Sequence, residues 1–302
     1  MPPALGLALA VVSVSFAAPL FRLAEAPPLT ASFWRLAFAV LILLPFTRGA
    51  WTAWATWSRR EATLALASGV ALGAHFALWV TSLFYTTVAA SVALVTLQAV
   101  FVALGGHFLL GDRLRPVGWA GVLTATAGAL VIGGTGVAEA RLGAGRDALL
   151  GDALAVLGGV GSAVYMLIGR RLRQRHGLVA YVTPVYAVAA LSVLIALPLL
   201  GQPLTTGLPA RSFVVFVLLA AVPMLGGHTM ANWCLRHLEA HVVATWILLE
   251  PVGAALIAWA LPDIAEVPPW GTVAGGALVL AGAALTVRPP AHRAPDTALQ
   301  AS

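Results

Sequence analysis

The chain of 302 residues contains no lysine and one cysteine, and only 9% of its residues are charged. Without lysine there is neither a Walker A loop, whose lysine reaches the phosphates, nor a lysine Schiff base. ATP-driven pumping by this chain and that covalent chemistry are both excluded. A lone Cys234 rules out an internal disulfide. What fills the sequence instead is apolar: 60% hydrophobic residues and a mean hydropathy of +0.94 point to a polytopic membrane protein. The formal charge of +6 comes wholly from arginines. They fall between apolar runs rather than along one face, a pattern that sets membrane topology and argues against nucleic acid as a partner.

Ten apolar segments of spanning length are expected, at residues 4–23, 30–47, 62–82, 87–110, 116–135, 151–169, 178–200, 212–235, 241–261 and 268–287. The first has no basic flank and the length of a full span, so it reads as an uncleaved helix rather than a signal peptide. Loops on the side of the two termini hold Arg48, Arg59, Arg60, Arg113, Arg115, Arg170, Arg171, Arg173, Arg175, Arg236, Arg288 and Arg293, against Arg22, Arg141, Arg146 and Arg211 on the other. The positive-inside rule then places both termini in the cytoplasm. Trp51, Trp54 and Trp57 read as an interfacial belt, with an aromatic ligand platform as the alternative. Residues 289–302, rich in proline and alanine, read as a disordered tail.

The chain repeats itself. L-I-L-L-P at 41–45 returns as L-I-A-L-P at 194–198, and the same shift of 153 carries His75 onto His228 and Gln98 onto Pro251. One residue further, Gly121 and Gly128 fall on Gly275 and Gly282. Two units of five spans each, an odd number, must cross the membrane in opposite senses, which is the inverted repeat of many secondary transporters. The units are expected at 1–137 and 151–288, with a linker at 138–150, and a substrate would sit where they meet.

The most informative stretch is W-I-L-L-E-P-V-G-A-A-L at 246–256, which sets an acid and a proline inside an apolar run. A carboxylate near the bilayer centre costs about 3 kcal/mol on insertion scales, so Glu250 should face the bundle interior or a wet cavity. Pro251 removes a backbone donor and loosens the helix beside it. Glu250 is the first candidate for a cavity group: it either exchanges a proton during a transport cycle, holds a substrate ammonium, or remains a protonated acid bonded to a carbonyl. His75 and His228 come to opposite sides of a central cavity under the inverted symmetry, as cavity groups or as packed rings. Trp79 and Asn232, each four residues further along, share their faces. Gln98 is a neutral polar group in the first half's counterpart of the Glu250 region. Tyr165 and Trp246, with Trp34 and Trp233, are candidates for an aromatic lining. Arg35, the arginine inside a span, either snorkels to the interface, pairs with Glu250, or anchors a substrate carboxylate. Gly69, Gly73, Gly271 and Gly275 form small faces for helix packing. H-L-E-A-H at 237–241 lacks the order of a zinc motif, and no metal site or cofactor is expected.

L-L-G-D-R-L at 109–114, L-E-P-V at 249–252 and the two five-helix halves resemble the EamA-type members of the drug/metabolite transporter superfamily. The resemblance implies an all-α fold of ten transmembrane helices with cytoplasmic termini in a bacterial-type inner (plasma) membrane. It also implies a central cavity between the halves and, usually, export of small metabolites or amino acids. The chain departs from the pattern at V-S-F, residues 14–16, where the family often has Trp-Gly, at Gln98 where proline is common, and at Ala265-Glu266 in place of Gly-Glu. The expected function is export of a small amphipathic metabolite, most of all an aromatic or hydrophobic amino acid, by alternating access and with proton coupling through Glu250 as one mode. A cationic drug is the alternative cargo. An intramembrane enzyme is the alternative of another class, but no paired acidic motif, ligand set or nucleophile elbow supports it.

Overall fold

The computed structural model describes residues 1–82, 85, 91, 94–134, 145–260 and 270–286. The expected tail at 289–302, most of the expected linker at 138–150, Arg141, Arg288, Arg293 and the Ala265-Glu266 pair lie outside the described residues. Among the described residues all regular structure is helical. In chain order the apolar helices are α1 (Pro3–Phe21), α2 (Pro28–Ala55), α3 (Arg59–Ser82), α4 (Gln98–Leu110), α5 (Pro116–Ile132), α6 (Ala148–Arg173), α7 (Leu178–Leu199), α8 (Ala210–Cys234), α9 (Ala240–Ile257) and α10 (Trp270–Thr286). All but the shorter α4, α5 and α10 are long and apolar enough to cross a membrane.

Local chemistry sets the helix ends. Pro3 and Pro28 occupy first-turn positions, where the missing N–H costs nothing. Ser58 and Glu61 form a reciprocal capping box at the start of α3: the Ser58 N–H donates to Glu61 Oε2 at 3.0 Å and the Glu61 N–H to Ser58 Oγ at 3.2 Å. Gly111, at φ 76°, lies just past α4, where a left-handed residue closes a helix without a Cβ penalty.

Packing displays the inverted repeat. α5 and α10 form the most extensive helix pair, and their four glycines meet in reverse order, Gly121 against Gly282 and Gly128 against Gly275. A Cβ on Gly128 would stand 2.5 Å from the Gly275 carbonyl oxygen, and one on Gly282 2.5 Å from that of Gly121. Equivalent helices thus cross antiparallel about a two-fold axis, at a distance that only hydrogen side chains permit. The halves interleave elsewhere: α1 lies against α8 as α6 lies against α3, and α2 against α7.

Two features interrupt the regular helices near the centre. Turns at Thr96–Leu97 and Leu248–Leu249 tighten the backbone, with Val100 N–H bonding Leu97 O at 3.0 Å and Leu249 N–H bonding Trp246 O at 3.1 Å. These turns fall within one residue of equivalent positions in the two halves. α8 widens to π-helical bonding over Ala220–Thr229, around Pro223, whose missing N–H weakens the ordinary ladder. The tryptophan belt is partly corrected: Trp51 is exposed, as an interfacial ring should be, whereas Trp54 donates to Ala180 O at 2.7 Å and Trp57 packs on His176. Those two rings pin the segment to the α6–α7 connection.

Candidate functional site

A cavity of about 810 Å³, its open mouth included, lies between the halves and draws its wall from α1, α2, α3, α4, α6, α8 and α9. Arg35, His75, Trp79, Gln98, Tyr165, His228, Asn232 and Glu250 all line it, together with Phe76, Thr96, Ser162 and Pro251.

The aromatic wall is continuous. His75 and Trp79 lie face to face with an interplanar angle of 4° and 5.9 Å between ring centres. Phe76, fully buried, touches His75 on one side and the edge of His228 on the other, and Tyr165 follows at 6.3 Å from His228. α6 carries Gly158 and Gly161 where α3 passes: a Cβ at Gly158 would meet Trp79 at 3.1 Å, and one at Gly161 would meet the Ala71 carbonyl at 2.9 Å. This close approach lets His75 Nδ1 reach Gly158 O at 2.9 Å. A carbonyl only accepts, so Nδ1 carries the proton and Nε2 of the neutral ring is left as an acceptor.

Asn232 ties α8 to α6. Its amide donates to the Tyr165 hydroxyl and, at 2.7 Å, to the His228 carbonyl. Beyond it Arg173, also buried, donates from Nε to Asn232 O at 3.1 Å, and Arg170 Nη1 and Gln174 Nε2 both donate to Leu235 O. Cationic side chains therefore satisfy the terminal carbonyls of α8, where the helix dipole favours them. Arg170 also contacts Asp112 of the G-D-R segment at 3.4 Å, joining the two halves on that side. At the opposite end α2 is held to residues 202–204: Leu29 N–H donates to Gln202 Oε1, Thr30 to Pro203 O and Trp34 to Leu204 O.

Arg35 does not snorkel. It is 1% exposed, and its guanidinium lies 4.5 Å from the centre of the Phe76 ring and 5.8 Å from that of Phe21. Among the described residues no carboxylate is within salt-bridge reach, and Nε and Nη2 are buried without a hydrogen-bond partner. Glu250 faces the same cavity from the other half.

Trp246 requires a correction, because it is not on the cavity wall. The tight turn at Leu248–Leu249 brings residues three apart into line, so Ile247 and Glu250 share the cavity face and position 246 turns away. Trp34 packs against Phe38 and, edge-on, Phe213, and Trp233 packs against His237; neither tryptophan lines the cavity. Sequence reasoning missed Phe76, the ring at the centre of the wall; an apolar residue in an apolar span gives no signal of its own. In H-L-E-A-H, His241 Nε2 lies 3.6 Å from Glu239, and no group of three metal-ligating side chains forms among the described residues.

The fold and cavity define an integral membrane protein built as two inverted halves around a central cavity. The EamA-like transporter family model matches residues 1–134 and 149–288, one match to each half, and the chain belongs to that family. Membership places it among transporters rather than enzymes. A riboflavin transporter of Rhizobium johnstonii is 30% identical over 110 residues, covering 35% of this chain and 34% of that protein. An uncharacterized transporter of Clostridium kluyveri is 20% identical over 174 residues, 58% of this chain and 56% of that one. The chain thus matches about a third of the first relative's length and just over half of the second's. A solved structure described only as a crystal structure of a protein shares the fold, with a TM-score of 0.75 at 20% identity over 94% of this chain and 95% of that one.

Proposed function

We propose that the protein exports small amphipathic metabolites, amino acids with aromatic or hydrophobic side chains foremost, by alternating access of its two halves about the central cavity. The single observation that carries this reading is the placement of Arg35 and Glu250, one from each half, in one aromatic-walled cavity. Opposite charges across an apolar pocket suit a zwitterion with an apolar side chain. In this reading His75, Trp79, Gln98, Tyr165, His228 and Asn232 form the substrate wall, and Glu250 exchanges a proton as the cavity changes sides. The arginine-rich loops keep both termini in the cytoplasm.

A second reading has its own support. The face-to-face His75–Trp79 pair offers a flat apolar surface, and the Rhizobium relative is named a riboflavin transporter, so a planar heteroaromatic cargo fits the same wall.

Counterflow in liposomes separates the two. Purified protein is loaded with unlabelled phenylalanine or riboflavin, and entry of the labelled compound is followed against protein-free vesicles. Saturable phenylalanine flux that Glu250→Gln reduces roughly tenfold and makes insensitive to pH supports amino-acid export with proton coupling. Riboflavin flux alone favours the second reading, and unchanged pH dependence in Glu250→Gln sinks the coupling role.

A further inference from the structure

The two charged groups of the cavity are not equivalent in what they require. A carboxyl group can shed its charge by taking up a proton, so Glu250 is able to sit in an apolar wall without any partner. A guanidinium cannot do the same, because it stays protonated throughout the range in which proteins function. The unmatched charge of the cavity wall is therefore positive, and it sits on Arg35.

The arrangement around Arg35 leaves two of its donors unmet. Phe76 and Phe21 lie against the guanidinium by way of their rings, the contact typical of a cation over an aromatic face. Nε and Nη2 are buried with no hydrogen-bond partner among the described residues, although a guanidinium fork matches the two oxygens of a carboxylate. The titratable groups nearby are His75, His228, Tyr165, Tyr186 and Glu250. Of these only Glu250 can supply a negative charge at neutral pH, and it is out of contact.

We propose that Arg35 is the receptor for a carboxylate of the cargo, and that this anionic group is the required feature of the substrate while an ammonium is dispensable. The proposal rests on the transporter reading above and narrows it to carboxylate-bearing compounds. Phe76 becomes a positioning residue that holds the guanidinium from its face. Glu250 becomes the group that accommodates whatever the far end of the cargo carries.

The test is a binding measurement that does not depend on flux. Thermal unfolding of the purified protein in detergent is followed with millimolar benzoate, 3-phenylpropionate, phenylalanine, phenylalaninamide and phenethylamine. The expected result is a raised Tm with at least one of the three carboxylates and none with the amide or the amine. That gain is lost in Arg35→Gln, reduced about tenfold in affinity in Arg35→Lys, which keeps the charge without the fork, and kept in Glu250→Gln. Arg35→Gln is expected to unfold at no lower temperature than wild type without ligand, since it removes a buried charge lacking a partner. If Arg35→Gln does not fold, the comparison of acids with amide and amine on wild type, together with Arg35→Lys, still decides. Stabilisation by phenethylamine equal to that by 3-phenylpropionate, binding retained in Arg35→Gln, or no stabilisation by any carboxylate each overturns the proposal. Carboxylate binding without amino-acid counterflow would leave the site standing and remove amino-acid export; counterflow indifferent to the carboxylate would do the reverse.

Discussion

The halves meet in two very different places, the α5–α10 seam and the central cavity. At the seam symmetry is kept: glycine faces glycine at both crossings, and the equivalent positions carry the same residue. At the cavity the repeat has diverged. Applying the shift of 153, Arg35 corresponds to Val188, Trp79 to Asn232 and Glu250 to Leu97, while His75 and His228 remain alike. Both charged groups thus have apolar counterparts, and each half contributes one of them. Duplicated sequence supplies the scaffold; the chemistry lies where the copies stopped agreeing.

Breaking the seam should have the largest effect. Gly128→Leu drives a side chain into the backbone of α10, where even a Cβ meets the Gly275 carbonyl oxygen at 2.5 Å. We expect a loss on the order of 3 kcal/mol or more, read as a fall in Tm and in folded yield, whereas Gly49→Ala, with nothing within 4 Å of its Cβ, should stay within about 0.5 kcal/mol. Glu250→Leu restores symmetry at the cavity by copying Leu97. It should abolish proton-dependent flux in liposomes and leave Tm unchanged or raised, because an acid in an apolar wall adds little to stability. Retained flux would mean that the divergence at this position is not functional.

The two histidines sharpen the comparison further. His75→Phe leaves the Gly158 carbonyl without its donor and should cost about 1–3 kcal/mol. His228→Phe, which keeps the edge contact with Phe76 and has no such bond to lose, should cost less than about 1 kcal/mol. Paired unfolding curves check this, and equal losses would show that the symmetry of the two rings extends to their energetics.

The architecture was legible because its signals are strong and local. Arginine-bounded apolar runs give the helices, and the recurrence of His75 as His228 with the paired glycines gives the inverted repeat. Eight of the nine candidate cavity residues line one space, since polarity inside a span has few places to go. The failures have physical causes. Trp246 was lost to a tightened turn that shifts helix phase by a fraction of a residue, and nothing in W-I-L-L-E-P fixes that phase. Phe76 was missed because a functional aromatic and a packing aromatic look alike until their neighbours are known. The caps on α8 come from Arg170 and Arg173, which in sequence serve equally well as topological charge, and from the neutral Gln174, which gives no signal of its own.

The burial of Arg35 bears on how the protein is made. An arginine about 10 Å into a span adds about 3 kcal/mol to the cost of inserting α2 into lipid. α2 is thereby less able to leave the translocon alone. Phe21 from α1 and Phe76 from α3 supply the faces that shelter the guanidinium, so α2 settles only with its predecessor already present and its successor arriving. The same guanidinium that lines the cavity thus ties the insertion of α2 to both of its neighbours.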